Sequence, residues 1–202
     1  AAGLYGGLEH PRVARLHEIG EASGYTFIAT EFVSGTDLQQ LIDGGRLPLG
    51  TAAQLIVQVA RAVGYAHGRG LSHLGLCPTN IICTVRGDVK VTDFGFLPAR
   101  LPASPASDPS LLARLCYLAP EQIEGLATSP ATDVYQLGVI AYQLMVGRKP
   151  YPQKEAMALS QAMLRTRPAP SGLDKPFDKL LMRALARSPF ERFPDAGAMA
   201  DA

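Results

Sequence analysis

The 202-residue chain contains no tryptophan, only three cysteines and almost no net charge. An odd and sparse set of cysteines, Cys77, Cys83 and Cys116, provides no disulfide framework, so we expect a reducing, cytoplasmic setting. A formal net charge of +1 creates no strong field for nucleic acid or for an acidic membrane surface. These absences argue against a disulfide-stapled secreted domain and against a nucleic-acid-binding protein.

Long apolar runs and targeting signals are also missing. The most apolar stretch, residues 137–147, is too short to span a bilayer and is interrupted by Gln143. No segment has the pattern of a signal peptide. The chain begins Ala-Ala-Gly without Met, as expected of a piece of a longer protein. The hydrophobic fraction of 47% is typical of a globular protein, and the length suffices for one domain or two unequal lobes.

Hydrophobic periodicity predicts two principal helices. Apolar residues recur at three- and four-residue steps through 51–67, which indicates an amphipathic helix. Residues 132–147 are apolar on nearly every face, which is typical of a helix at the centre of a domain. Shorter patterns predict strands at 25–33, 81–85 and 89–93, a short helix with Asp37 in its first turn, an exposed loop at 97–110, and helices near 153–165 and at 177–187. This succession favours the α+β class with an α-rich main body.

Seven short motifs follow one another along nearly the whole chain. They read LEHPRVARLHEIG, ATEFVSGTDL, SHLGLCPTNII, VTDFG, YLAPE, TDVYQLGVIAYQLMVGRKPY and SPFERFPDAGAM. In this order they resemble the protein kinase superfamily, and most closely the bacterial-type Ser/Thr kinases. The resemblance implies a kinase-like fold lacking most of the N-terminal lobe. Residues 1–33 would hold its remnant, with the end of a helix, two strands and the hinge. Residues 34–202 would form the helical C-terminal lobe with the equivalents of the catalytic loop and activation segment.

The third motif resembles the kinase catalytic loop, in which His-Arg-Asp is followed by Lys, Pro and Asn. The matching residues here are His73, Leu74, Gly75, Cys77, Pro78 and Asn80. Gly75 stands where the family's Asp receives the substrate hydroxyl, and Cys77 stands where its Lys stabilises the transferring phosphoryl group. Glycine has no side chain to accept a proton, and an unperturbed thiol is mostly protonated at neutral pH. A positioned acid or base contributes roughly a hundred- to ten-thousand-fold in rate.

Other parts of the catalytic unit are replaced as well. Ala113 and Arg114 match the Gly-Thr pair that supports the catalytic Asp and Lys in the family, and Leu74 matches the Arg that holds a phosphorylated activation segment. Residues 96–118 contain no Thr, although Ser104, Ser107 and Ser110 remain. The sequence therefore predicts a catalytically impaired kinase domain, a pseudokinase.

Residues that would bind ATP and Mg²⁺ are retained. Asn80 and Asp93 match the family's two metal ligands, and their oxygen atoms suit Mg²⁺. The resemblance also assigns nucleotide contacts, namely the gatekeeper Thr30, the hinge residues Glu31 and Val33, the ribose contact Asp37, and Ile82 under the adenine ring. It thus implies that ATP and Mg²⁺ bind in a complete parent protein. Two alternatives stay open: Asp93 as a turn former and Asn80 as a residue that holds the loop backbone.

Several matches concern the scaffold of the fold. The resemblance places His73 and Phe94 in a hydrophobic spine and gives Asp133 the task of holding the catalytic-loop backbone. Gly95 completes the Asp-Phe-Gly motif, and Glu121 and Arg192 match a buried ion pair. No catalytic partner is evident in the sequence for His10, His17 and His67, so we interpret these three as structural or exposed.

Two functional interpretations follow from these matches. The first is a pseudokinase that acts in signalling by binding, as a scaffold, a phosphorylation target or an allosteric partner of another protein or kinase domain. The second is a weakly active, ATP-dependent Ser/Thr protein kinase. A third, a structural fragment with no independent role, also stays open.

Overall fold

The computed structural model describes residues 6–45, 47–94 and 113–202. The predicted loop at 97–110 and Gly95 lie outside the described residues. The strands are β1 (Leu16–Ala22), β2 (Tyr25–Thr30), β3 (Thr36–Asp37), β4 (Ile81–Cys83) and β5 (Val89–Val91). The helices are α1 (Leu38–Asp43), α2 (Leu49–His67), α3 (Pro120–Ile123), α4 (Pro130–Val146), α5 (Ala156–Arg165), α6 (Lys175–Ala184) and α7 (Ala196–Asp201), with 3₁₀ turns at Pro78–Asn80 and Pro189–Glu191.

Strands β1 and β2 form an antiparallel hairpin. Ser23 and Gly24 connect them with φ angles of 53° and 77°, and positive φ at both positions matches the right-handed twist of the strands. The predicted strand at 25–33 was too long, because β2 ends at Thr30, where its partner β1 begins. Phe32, which lies beyond the end of β2, is 91% exposed.

Strands β3, β4 and β5 form a separate antiparallel sheet in that order. The hairpin predicted from 81–85 and 89–93 is confirmed, although both strands are shorter than predicted. Asp37, Ile82 and Lys90 are direct register partners across the three strands. Directly opposed residues in a sheet share a face, so these three side chains lie on the same side.

The helical body is built around α2 and α4. Helix α2 buries the predicted face, which comprises Leu55, Ile56, Val59, Ala62, Val63 and Ala66. Helix α4 is buried from Ala131 to Met145, as its apolar sequence predicts. It begins with Pro130 at its first position and ends at Gly147, whose φ of 79° provides the left-handed C-terminal cap. The α+β class with a mainly helical body is confirmed.

A close contact joins α2 to the C-terminal helix α7. A Cβ atom added to Gly64 would lie 2.6 Å from the backbone nitrogen of Gly197, so the two backbones approach at a distance that only glycine permits. The remaining helices differ from prediction at their ends: α5 starts at Ala156 instead of 153, and α6 covers 175–184 instead of 177–187. Within the described ranges, no helix is long and apolar enough to cross a membrane.

Candidate functional site

The backbone of the 72–80 loop is held by Asp133 at the start of α4. Its carboxylate accepts hydrogen bonds from the backbone N–H groups of His73 and Leu74, both at 2.7 Å. The ring Nε2 of His67 donates a third hydrogen bond to this carboxylate at 2.8 Å. His67, for which the sequence suggested no partner, is thus connected to the loop through Asp133. Asp133 is fully buried. These bonds hold Leu74 at a φ of 62°, a left-handed conformation that costs a non-glycine residue about 1–2 kcal/mol.

Two glutamines, which sequence reasoning missed, complete the support of this loop. Gln136 accepts a bond from the N–H of Leu76 at 2.9 Å, and Gln122 donates to the carbonyl of Leu74 at 2.7 Å. The two side chains also bond to each other at 3.0 Å. Buried polar groups are nearly always hydrogen-bonded, so Gln136 within the apolar 132–147 segment could have indicated a hydrogen-bond partner in the core.

His73 is a packed residue with both ring nitrogens engaged. Its Nε2 donates to the carbonyl of Thr92 at 2.8 Å, and its Nδ1 accepts from the N–H of Gly75 at 3.3 Å. Its ring centroid lies 4.7 Å from that of Phe94, and both residues are fully buried. Burial lowers the pKa of His73, despite the opposing effect of Asp133, so the ring stays neutral at physiological pH. This arrangement gives His73 no free nitrogen for proton transfer.

Gly75 and Cys77 share a cavity of about 10 Å³ with Arg114 and Tyr117. The other lining residues are Leu76, Leu118 and Gln136, so no carboxylate and no lysine is among the described residues that line this space. Cys77 is buried, and its Sγ lies 3.2 Å from Oγ1 of Thr79. Tyr117 donates its hydroxyl hydrogen to Oε1 of Gln143 at 2.7 Å, and burial raises its pKa far above neutrality. At the position of the family's catalytic Asp, the described residues that line this space therefore include Arg114 and no carboxylate.

Asn80 and Asp93 come from adjoining segments and offer oxygen atoms. The N–H of Thr92 donates to the carbonyl of Asn80 at 2.9 Å, which places Asp93 beside the end of the loop. The Asn80 amide nitrogen donates to the carbonyl of Gly75 at 3.0 Å, and this bond supports the alternative in which Asn80 holds the loop backbone. Asp93 is exposed and has a φ of 61°. A carboxylate and an amide oxygen fit Mg²⁺, which binds through one or two protein ligands, water and nucleotide phosphates.

The carboxylates at two of the predicted nucleotide-contact positions already have protein partners. Both oxygens of Asp37 accept bonds from Gln40, one from its backbone N–H at 2.9 Å and one from its side chain at 2.8 Å. Asp37 is therefore the N-cap of α1, not a residue of its first turn as predicted. Glu31 forms an ion pair with Lys90 at 2.6 Å, and the hydrogen bond from Lys90 lowers the pKa of Glu31.

The other nucleotide-contact positions lie along the same side of the molecule. Thr30 is the last residue of β2, and Ile82 is partly exposed on the sheet face that carries Asp37 and Lys90. Val33 follows in the connection from β2 to β3, and neither of its backbone groups is bonded to a described residue. The resemblance to kinases implies that backbone groups of the hinge bond to adenine, and such bonds require unpaired backbone groups at this point.

Glu121 and Arg192 form a buried bidentate ion pair. The distances are 2.8 Å from Nη1 to Oε1 and 2.9 Å from Nη2 to Oε2. Burial alone would raise the pKa of Glu121, but the hydrogen bonds and charge of Arg192 outweigh that effect and lower it. Arg192 also donates to the carbonyls of Ala131, Ala186 and Arg187, so all five N–H groups of its guanidinium are used. The pair thereby ties α3 to the start of α4 and to the segment before α7.

Known proteins are similar in sequence to this chain over nearly its whole length. The family model "Protein kinase domain" matches residues 3–200. The chain is 35% identical over 204 residues to serine/threonine-protein kinase PknA of Mycobacterium tuberculosis, covering 96% of this chain and 47% of that protein. It is 31% identical over 198 residues to PknL of the same species, covering 95% and 50%. It is 29% identical over 199 residues to PrkC of Bacillus subtilis, covering 95% and 31%.

The chain thus spans half or less of the length of these curated relatives. Protein kinase domains in general use ATP and Mg²⁺ to phosphorylate protein substrates. The match of the family model to nearly the entire chain, the three bacterial relatives, and the loop held by α4 agree with one another. The chain belongs to the protein kinase family, as a domain of the bacterial serine/threonine type.

Proposed function

We propose that this domain is a catalytically impaired serine/threonine kinase domain, a pseudokinase, that acts in signalling by binding another protein. One observation carries the proposal: of the residues that the structure describes, Arg114 and no carboxylate share the small cavity with Gly75 and Cys77. A guanidinium stays protonated at any physiological pH, so it cannot accept the proton of a substrate hydroxyl.

The loss of the lysine at position 77 supports the same conclusion. Electrostatic stabilisation of the transferring phosphoryl group is often the largest contribution to catalysis, and the Cys77 side chain is a buried thiol in contact with Thr79. The scaffold around the loop is intact, because Asp133, Gln136 and Gln122 hold its backbone. A loop whose backbone is held in place but whose reactive side chains are replaced is suited to binding another protein.

The test is phosphate transfer from ATP to a generic basic protein substrate, measured with the complete protein that contains this domain. We expect turnover at least about a hundredfold below the roughly 1–100 s⁻¹ that is typical of protein kinases. A value within that ordinary range would refute the proposal.

A restored variant sharpens the test. Gly75→Asp with Cys77→Lys supplies the two lost groups, but Arg114 would pair with the new carboxylate, so Arg114→Thr must accompany them. The matched control carries Gly75→Asn with the same two other substitutions, because asparagine has the shape of aspartate without its basicity. If the asparagine and aspartate forms transfer phosphate equally well, the missing carboxylate is not the cause of impairment.

The second candidate is a weakly active, ATP-dependent kinase. It is favoured by the oxygen ligands of Asn80 and Asp93 and by the free backbone groups of Val33. Mg²⁺ bound there would neutralise the charge of the nucleotide phosphates. A rise in melting temperature of the complete protein with ATP and Mg²⁺, absent with Mg²⁺ alone, would show nucleotide binding. An Asp93→Asn variant should reduce that rise.

A further inference from the structure

A second cavity lies beside the end of the activation-segment equivalent. It has a volume of about 490 Å³ and is lined by Ala113, Cys116, Lys149, Leu159 and residues 151–154. This volume is within the range of roughly 300–1,000 Å³ that is typical of ligand sites. The walls formed by Ala113, Pro152 and Leu159 are apolar, so an apolar side chain would be buried favourably between them.

Two lysines stand at this cavity, and no acidic residue is among the described residues that line it. Lys149 and Lys154 are both exposed, and neither forms an ion pair with a described residue. The ammonium of Lys149 lies 5.7 Å from the ring centroid of Tyr117, a contact that leaves its charge uncompensated.

We propose that this cavity is the docking site for an acidic peptide segment of a partner protein, with an apolar side chain in the cavity and carboxylates on Lys149 and Lys154. The inference rests on the proposed binding role and adds the chemistry of the partner. Charge complementarity carries it: two exposed lysines, with no acidic residue among the described lining residues, border a partly apolar space. A basic peptide would be repelled by the same two lysines.

The test uses fluorescence anisotropy with a short fluorescein-labelled peptide in which one Leu is flanked on both sides by Glu residues. The complete protein that contains this domain is compared with its Lys149→Glu/Lys154→Glu variant. We expect the double variant to bind about tenfold more weakly, because two ion pairs are replaced by like-charge contacts. Binding by the parent chain should also weaken as salt is added.

Matched controls separate this site from general charge effects. The Lys175→Glu/Lys179→Glu variant makes the same change of charge at exposed positions on α6 and should bind within about twofold of the parent chain. A peptide with Gln in place of Glu should lose most of its affinity, and one with Ser in place of Leu should also bind more weakly. Circular dichroism should show that both lysine variants stay folded, since all four lysines are exposed.

Three results would overturn the proposal. They are equal binding by the two lysine variants, equal binding of the Glu and Gln peptides, and no binding of the Glu peptide at millimolar concentration. If only a peptide with phosphoserine in place of Glu binds, the site recognises phosphate and the assignment to carboxylates is wrong. No phosphate transfer is measured in this experiment, so its failure is distinct from failure of the proposed impairment.

Discussion

Replacing Arg192 by Lys should lower the free energy of unfolding by about 3 kcal/mol, although the positive charge is kept. The guanidinium of Arg192 is buried and donates five hydrogen bonds, two of them to Glu121. An ammonium has only three donors, so at least two bonds are lost. Each hydrogen bond to a charged group contributes about 1.5–3 kcal/mol, which gives a loss of about 3–6 kcal/mol before the side chain readjusts.

Equilibrium unfolding in urea measures this change. The matched control is Arg61→Lys, because Arg61 also pairs with a carboxylate, that of Asp201 at 2.7 Å, but both side chains are more than half exposed. We expect that control to change stability by less than about 0.5 kcal/mol. If Arg192→Lys and Arg61→Lys lowered the free energy of unfolding equally, with the same slope against urea concentration, the number of buried hydrogen-bond donors would not explain the stability of this region.

Three further predictions concern stability. Asp133→Asn should cost about 3–5 kcal/mol, because an amide oxygen replaces a carboxylate that accepts three bonds; a loss below about 1 kcal/mol in urea unfolding would contradict this. Gly64→Ala should lower the free energy of unfolding by about 2 kcal/mol despite the helix propensity of alanine, because its Cβ would lie 2.6 Å from the α7 backbone. The control is Gly50→Ala in the same helix, whose Cβ would have no atom within 4 Å, so it should be neutral or stabilising. Because the pKa of Glu121 is lowered on folding, its carboxylate stabilises the folded state above pH 4.5, the ordinary pKa of Glu, and this stability is lost as the pH falls through the folded-state pKa. The Glu121→Gln variant should therefore lose stability less steeply than the parent protein between about pH 5 and pH 3. Equal losses of stability in acid for the two proteins would exclude this origin.

Long elements with a strong pattern were predictable from the sequence. Helix α2 has one apolar face and α4 is apolar all round, and both patterns follow from burial, which dominates the energetics of a core. The hairpin of β4 and β5 was also predictable, because two β-branched segments flank a turn at Gly87, whose φ is 81°. The positions of the catalytic-loop equivalents came from the order of motifs, not from periodicity.

The long-range contacts around the 72–80 loop could not be predicted in the same way. Arg114 and Gly75 line the same cavity although they are 39 positions apart in the chain, and no local pattern encodes this. The role of Gln136 depends on which side of α4 faces the loop, and a helix that is apolar on every face gives no indication of this. The ends of β2 and α6 were wrong because they depend on where a partner strand begins or a helix is capped.

The support of the 72–80 loop has a consequence for protein engineering. The hydrogen bonds from Asp133, Gln136 and Gln122 all reach main-chain atoms of the loop, so the path of the polypeptide does not depend on which side chains stand at 75 and 77. Exchanging the side chain at either position therefore removes none of the hydrogen bonds by which these three residues hold the loop backbone.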